Sequence, residues 1–227
     1  MGKGMFRGII VAASIVMACP ALGYESMPAP SGPAISVPQA RALVRANPDL
    51  AACGDYRATY AQAGWPKGTG FETIRRIDSL LRQRMVFRED TSDRWTLLTG
   101  AVLAGQRSYG DCEDMAITAA HLAICSGIPV DRIGLLITDS PRPGANELHM
   151  LAYYRDAGDR VWVFGDTFGK PRALSHVRER LLFIASLHNV SAWYSLRNRG
   201  QDFSGTSATP LLRSLSLSTP RGTGATP

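Results

Sequence analysis

Histidine is scarce in this chain. Its four copies, His121, His149, His176 and His188, never fall at a His-x-x-x-His spacing, so a zinc enzyme has no ready ligand pair here. Aromatic residues make up 8% of the sequence and do not interleave with the basic ones. That removes the stacking surface a nucleic-acid partner would need. A formal charge of +6 is a modest excess, with Arg75-Arg76 the notable basic doublet of the folded part, and a solvated basic face explains it. Past the first 23 residues no apolar run is long enough to span a bilayer, so the mature chain is expected to lack a transmembrane segment. A length of 227 residues suits one buried core rather than two full domains.

What is present begins with an export signal. Lys3 and Arg7 precede the apolar run 8–18, and the small-residue pattern Ala21-Leu22-Gly23 closes it. Residues 1–23 therefore read as a secretory signal peptide, which predicts a periplasmic protein. A lipoprotein cleavage at Ala18-Cys19 ranks second because Met17 fits that pattern poorly. Residues 24–35 are Pro-rich and aperiodic and read as a linker, the folded domain is expected over 36–198, and the Gly-, Ser-, Thr- and Pro-rich stretch 199–227 reads as a disordered tail.

Cysteines are equally few. Of Cys19, Cys53, Cys112 and Cys125, three survive signal cleavage, so in an oxidising compartment at least one thiol stays unpaired within the chain. Cys53 and Cys125 could pair or could be two small buried hydrophobes. The position of Cys125 on the apolar side of a helix tilts the choice to the second.

Periodicity gives an α+β order. Helices are expected over Pro38–Ala46, Phe71–Met85, Trp95–Gly105 and Asp111–Ile124, with a loop over 64–70. The last helix has the clearest ends, Asp111 in front and Gly127 with Pro129 behind. The period then shortens to β-favouring runs at Ile133–Thr138, Leu148–Tyr154 and Arg160–Phe164, and a further strand is favoured at Leu181–Leu187. Helices followed by antiparallel strands define an α+β fold.

Chemistry concentrates at the start of the Asp111 helix. A thiolate is favoured by the positive end of a helix dipole, and Cys112 falls in the first turn. His149 follows 37 residues later on a strand expected to fold against that helix, and Asp166 ends the next strand 17 residues further on. Nucleophile, general base and orienting acid thus occur in the order that a Cys-His-Asp triad requires. Asp156 and Asp159 are alternative orienting acids, but both lie at the intervening turn. His121, nine residues beyond Cys112 on the same helix, is too far along it to reach the sulfur.

The stretch Gly110-Asp111-Cys112-Glu113-Asp114, taken with His149 and Asp166, resembles the bacterial transglutaminase-like cysteine proteases, the group of LapG-like periplasmic adhesin proteases. The resemblance covers roughly residues 84–193. It implies a papain- or transglutaminase-like fold, with N-terminal helices, a nucleophile at a helix N-terminus and an antiparallel sheet, and a Cys112-His149-Asp166 mechanism. It also implies calcium held by Asp111 and Glu113, whose two carboxylates would otherwise oppose ionisation of the thiol. The other account of these acids is an Asp111 helix cap and a solvated Glu113.

The Cys112 backbone N–H is one oxyanion donor, and a glutamine at similar spacing in papain-like enzymes suggests Gln106 as the second, with Tyr109 competing. Implied partners are a protein substrate, such as a large surface adhesin, and an inner-membrane cyclic di-GMP receptor. A transglutaminase or cell-wall amidase using the same acyl-enzyme, and a non-catalytic calcium-binding module, are the alternatives. Two departures from the group stand out, Met115 in place of an aromatic residue and Thr167 in place of an asparagine after Asp166.

Overall fold

The computed structural model describes residues 24, 26–65, 67–139, 148–165 and 170–196, without the side chain of Ser31. The signal sequence, the tail expected from 199 and Asp166 lie outside the described residues. The elements run β1 (Pro30–Ser36), α1 (Pro38–Ala46), α2 (Tyr56–Gln62), α3 (Phe71–Arg84), β2 (Met85–Phe87), α4 (Thr99–Leu103), β3 (Ser108–Gly110) and α5 (Cys112–Cys125). Six strands follow, β4 (Ile133–Asp139), β5 (Leu148–Arg155), β6 (Val161–Phe164), β7 (Arg172–Ala173), β8 (Leu181–Ser186) and β9 (Ala192–Leu196).

The larger sheet has the order β1-β9-β8-β4-β5-β6-β7, and every pairing in it is antiparallel. Apart from β1, the strands of this sheet follow the helices in sequence, and α5 packs against its β4 and β5, so the α+β class holds. Strand β4 sits in the middle, and residues Ile133–Thr138 are all buried. Such a continuous run marks a strand covered on both faces. On one side Leu135 and Ile137 join Ile74, Ile77, Leu81, Ile117 and Trp193 in the main core. On the other, Leu136 meets Leu151, Val163, Leu174, Val177 and Leu181 in a smaller one.

Helix α5 is the axle of the main core. Twelve of its residues, including Met115 through Ala123, are buried, which matches a helix apolar on nearly every side. Its small alanines admit close neighbours: α2, α3 and α4 approach from one side, β4 and β5 from the other. Among the described residues, no helix is long and apolar enough to cross a membrane.

Several expectations need correction. The first strand begins at Pro30, inside the stretch read as a linker, because β1 adds to the sheet edge against β9; an edge position tolerates proline, and such a strand leaves no alternating pattern to read. Helix α2 had no counterpart in the periodicity. The weak helix expected over 95–105 shrinks to Thr99–Leu103, and the turn residues 108–110 form a parallel pair with Met85–Phe87. Cys53 and Cys125 are joined in a disulfide rather than packed as separate hydrophobes. A helix face cannot distinguish these outcomes, since a cystine is as apolar as two buried thiols.

Candidate active site

The segment Gly110-Asp111-Cys112 is held from both ends. Upstream, β3 pairs with β2, and the Arg88 amide donates to Gly110 O at 2.9 Å. Downstream, Asp111 is the helix cap: its backbone is extended, and its Oδ1 accepts the Asp114 amide at 3.5 Å. Asp114 in turn accepts the Thr96 amide at 2.6 Å, and Thr118 accepts the Leu98 amide at 3.0 Å. The segment before α4 is thereby strapped to the first two turns of α5.

Cys112 occupies the first position of α5 and is the free cysteine among the described residues. Its Sγ–H donates to Glu113 Oε2 at 2.9 Å. Burial pushes the thiol well above its ordinary range. The negative Glu113, its hydrogen bond and then Asp111 add to that, while the Met150 backbone N–H acts in the opposite sense. Glu113 is itself buried, and its carboxyl is raised, first by burial and next by Asp111. Burial lifts Asp114 to about 7 against the opposing pull of the Thr96 amide. Three acids therefore crowd one helix start, and the dipole that favours a thiolate is countered by their field.

The sequence-expected residues fall as follows. Asp111, Cys112 and Glu113 converge at the helix start. His149 lies on β5, opposite Thr138 on β4. Its neighbours Leu148 and Met150 join Cys112, Glu113 and Ile137 around a gap with no room for a water molecule. Side chains alternate along a strand, so the two residues that wall the thiol point one way and His149 is the position between them. The described hydrogen bond of the sulfur goes to Glu113. Gln106 is exposed on the loop after α4, its backbone N–H donating to Ala101 O. Tyr109 is 45% exposed with Arg88 stacked on its ring. Asp156 organises the β5–β6 hairpin by accepting from Gly158, Arg160 and Trp162, a complete structural role.

Sequence reasoning missed the burial of Glu113 and Asp114. Both acids follow a helix cap, where solvated carboxylates are common, and only the strap from 94–98 turns that surface inward. For calcium, the paired oxygens of Asp111 and Glu113 form a donor set of the right hard chemistry, but six to eight ligands are needed. Among the described residues no group of three or more His, Cys, Asp or Glu is arranged to hold a metal ion. The pair fits one side of such a site, leaving backbone carbonyls and water to complete it.

These features define a mixed helix-and-antiparallel-sheet protein with a free cysteine at the start of its central helix. No protein-family model and no curated protein matches the chain. Among solved structures it is similar to Legionella pneumophila LapG, at 20% identity and a TM-score of 0.44, over 68% of this chain and 86% of that one. The calcium-bound form of that protein aligns at 19% identity with a TM-score of 0.48, over 80% and 97%. Its EGTA-treated form aligns at 19% identity and 0.47, over 75% and 90%.

Proposed function

We propose that the protein is an exported cysteine peptidase with Cys112 as nucleophile, His149 as general base and Asp166 as the residue that orients the imidazole. The observation that carries this reading is the placement of a free thiol at the N-terminus of α5, walled by Leu148 and Met150, the two residues that flank His149 on β5. In the proposed reaction His149 takes the thiol proton and Cys112 Sγ attacks a peptide carbonyl. The proton then passes to the departing amine, and water hydrolyses the thioester. The Cys112 backbone N–H is one oxyanion donor, and Gln106 is the candidate for the other. The papain- and transglutaminase-like arrangement of these parts belongs to this proposal.

Calcium belongs to the same reading. Asp111 and Glu113 would hold it, and its charge would offset their field at the thiol. Residues 1–23 support export to the periplasm. By the family resemblance, the substrate is a protein such as a surface adhesin, and an inner-membrane cyclic di-GMP receptor is a regulatory partner in biofilm control.

The test is product analysis by mass spectrometry on candidate adhesin fragments, with Cys112→Ala, His149→Ala and Asp166→Asn run in parallel. Cleavage by the wild type alone supports the peptidase. Transfer of the acyl group to an added amine in preference to water would replace it with a transglutaminase.

A further inference from the structure

We infer that Arg88, stacked on Tyr109, forms a subsite beside the nucleophile turn that selects an acidic side chain two or three residues from the scissile bond of a peptide. This rests on the peptidase reading above and names the substrate chemistry of that same site.

Among the described residues the exposed large apolar side chains are Phe87, Tyr109 and Tyr194. Two of these three belong to the β2–β3 pair, whose second strand ends at Gly110, just before the cap and the thiol of α5. Tyr109 lies between buried Ser108 and Gly110, so its ring turns outward where its strand neighbours turn in. The backbone beneath it is fixed by the pairing of β2 with β3 and by the bond from the Arg88 amide to Gly110 O.

The Arg88 guanidinium carbon lies over that ring, 4.7 Å from its centre. A ring contact holds the guanidinium while leaving its N–H edge free, and that edge takes a carboxylate through two parallel hydrogen bonds. Among the described residues no carboxylate fills the place. Arg88 is exposed and forms no ion pair there. Asp90 is engaged by the amides of Ser92, Asp93 and Arg94, and Asp114 by that of Thr96.

Distance decides which substrate residue meets the pair. Tyr109 precedes Cys112 by three residues, a stretch of chain that spans at most about 11 Å. In an extended peptide the side chains two and three residues from the attacked carbonyl lie about 7 and 10 Å from it. A substrate lying over the β2–β3 pair with its scissile carbonyl at Cys112 Sγ thus presents one such side chain to Arg88.

The experiment incubates the protein, with calcium present, with a synthetic peptide library of random sequence and identifies the cut bonds by mass spectrometry. Cuts also made by Cys112→Ala are subtracted. The wild type should enrich Asp and Glu by roughly fivefold at one fixed position two or three residues from the cut, the size expected of a partly exposed ion pair. Arg88→Gln should erase the enrichment, Arg88→Glu should turn it into one for Lys and Arg, and Tyr109→Ala should weaken it. An exposed residue that serves stability alone would move none of these preferences.

Cys112-dependent cleavage without acidic enrichment, or with an enrichment that Arg88→Gln and Arg88→Glu leave intact, overturns the subsite and leaves the peptidase standing. Should the adhesin fragments be cut but not the library, the variants are compared on that bond, and an equal kcat/KM for wild type and Arg88→Glu overturns the subsite. A library and fragments that both stay uncut overturn the peptidase reading and this inference with it.

Discussion

The Asp114 carboxyl lies directly over Gly110: a Cβ at position 110 would sit 2.5 Å from Asp114 Oδ2 and 2.7 Å from its Cβ. The nucleophile turn and the strap from Thr96 therefore share one small space, which only a residue without a side chain leaves open. Gly110→Ala should force Asp114 away from the Thr96 amide and loosen the start of α5. Overpacking of this kind costs about 1–3 kcal/mol. Urea unfolding should show that loss, and the Cys112 alkylation rate should change with it; wild-type values for both would refute the shared-space account.

The Cys53–Cys125 bridge spans 72 residues and ties the segment before α2 to the last residue of α5. In a chain-entropy treatment a loop of that size is worth about 4 kcal/mol through restriction of the unfolded state. The double variant Cys53→Ala/Cys125→Ala should lower the urea midpoint accordingly, and a reducing agent should lower that of the wild type but leave the variant unmoved. Cys112 alkylation in the folded variant should persist, because the bridge lies at the far end of α5 from the thiol. A wild-type midpoint indifferent to reductant would rule out a stabilising bridge.

How much was legible follows from what each element depends on. The helix beginning at Cys112 was readable because its cap, its alanine-rich body and its glycine stop are local chemistry, and α1 and α3 were readable from an apolar stripe at helical spacing. Strands β4, β5, β6 and β8 declared themselves as short apolar runs. Edge strand β1 did not, since its ladder depends on β9, which lies more than 150 residues away in sequence. The site divides in the same way. Position 112 at a helix start is a local fact, whereas the burial of Glu113 and Asp114 is created by a distant strap.

Calcium should act through Asp111 and Glu113 if they form one side of its site. Adding calcium to chelator-treated protein should raise the thermal midpoint, since a ligand bound only by the folded state stabilises by about 2.7 kcal/mol at a hundredfold excess over its Kd. Asp111→Asn and Glu113→Gln should each blunt that rise. A full calcium response in both variants would assign the ion to other residues, and an unchanged wild-type midpoint would remove it from the reading.

His121 predicts a pH dependence with a definite sign. The ring is 1% exposed, with Nε2 3.0 Å from Ala52 O and Nδ1 3.0 Å from Thr99 Oγ1. Ala52 O can only accept, so Nε2 carries the proton and the Thr99 hydroxyl donates to Nδ1. Burial holds the imidazole below its ordinary range, against the opposing pull of the Ala52 carbonyl. The unfolded chain therefore binds a proton near pH 6.5 that the folded protein refuses. The contribution of this group to stability is complete above about pH 6.5 and is lost as the pH falls below it, toward the folded-state value. His121→Gln removes the titrating group, so the difference in urea midpoint between wild type and variant should shrink on acidification from about pH 7.5 to about pH 5. A difference that stays constant over that range would mean that His121 titrates alike in the folded and unfolded states, contrary to its burial between Thr99 and Ala52.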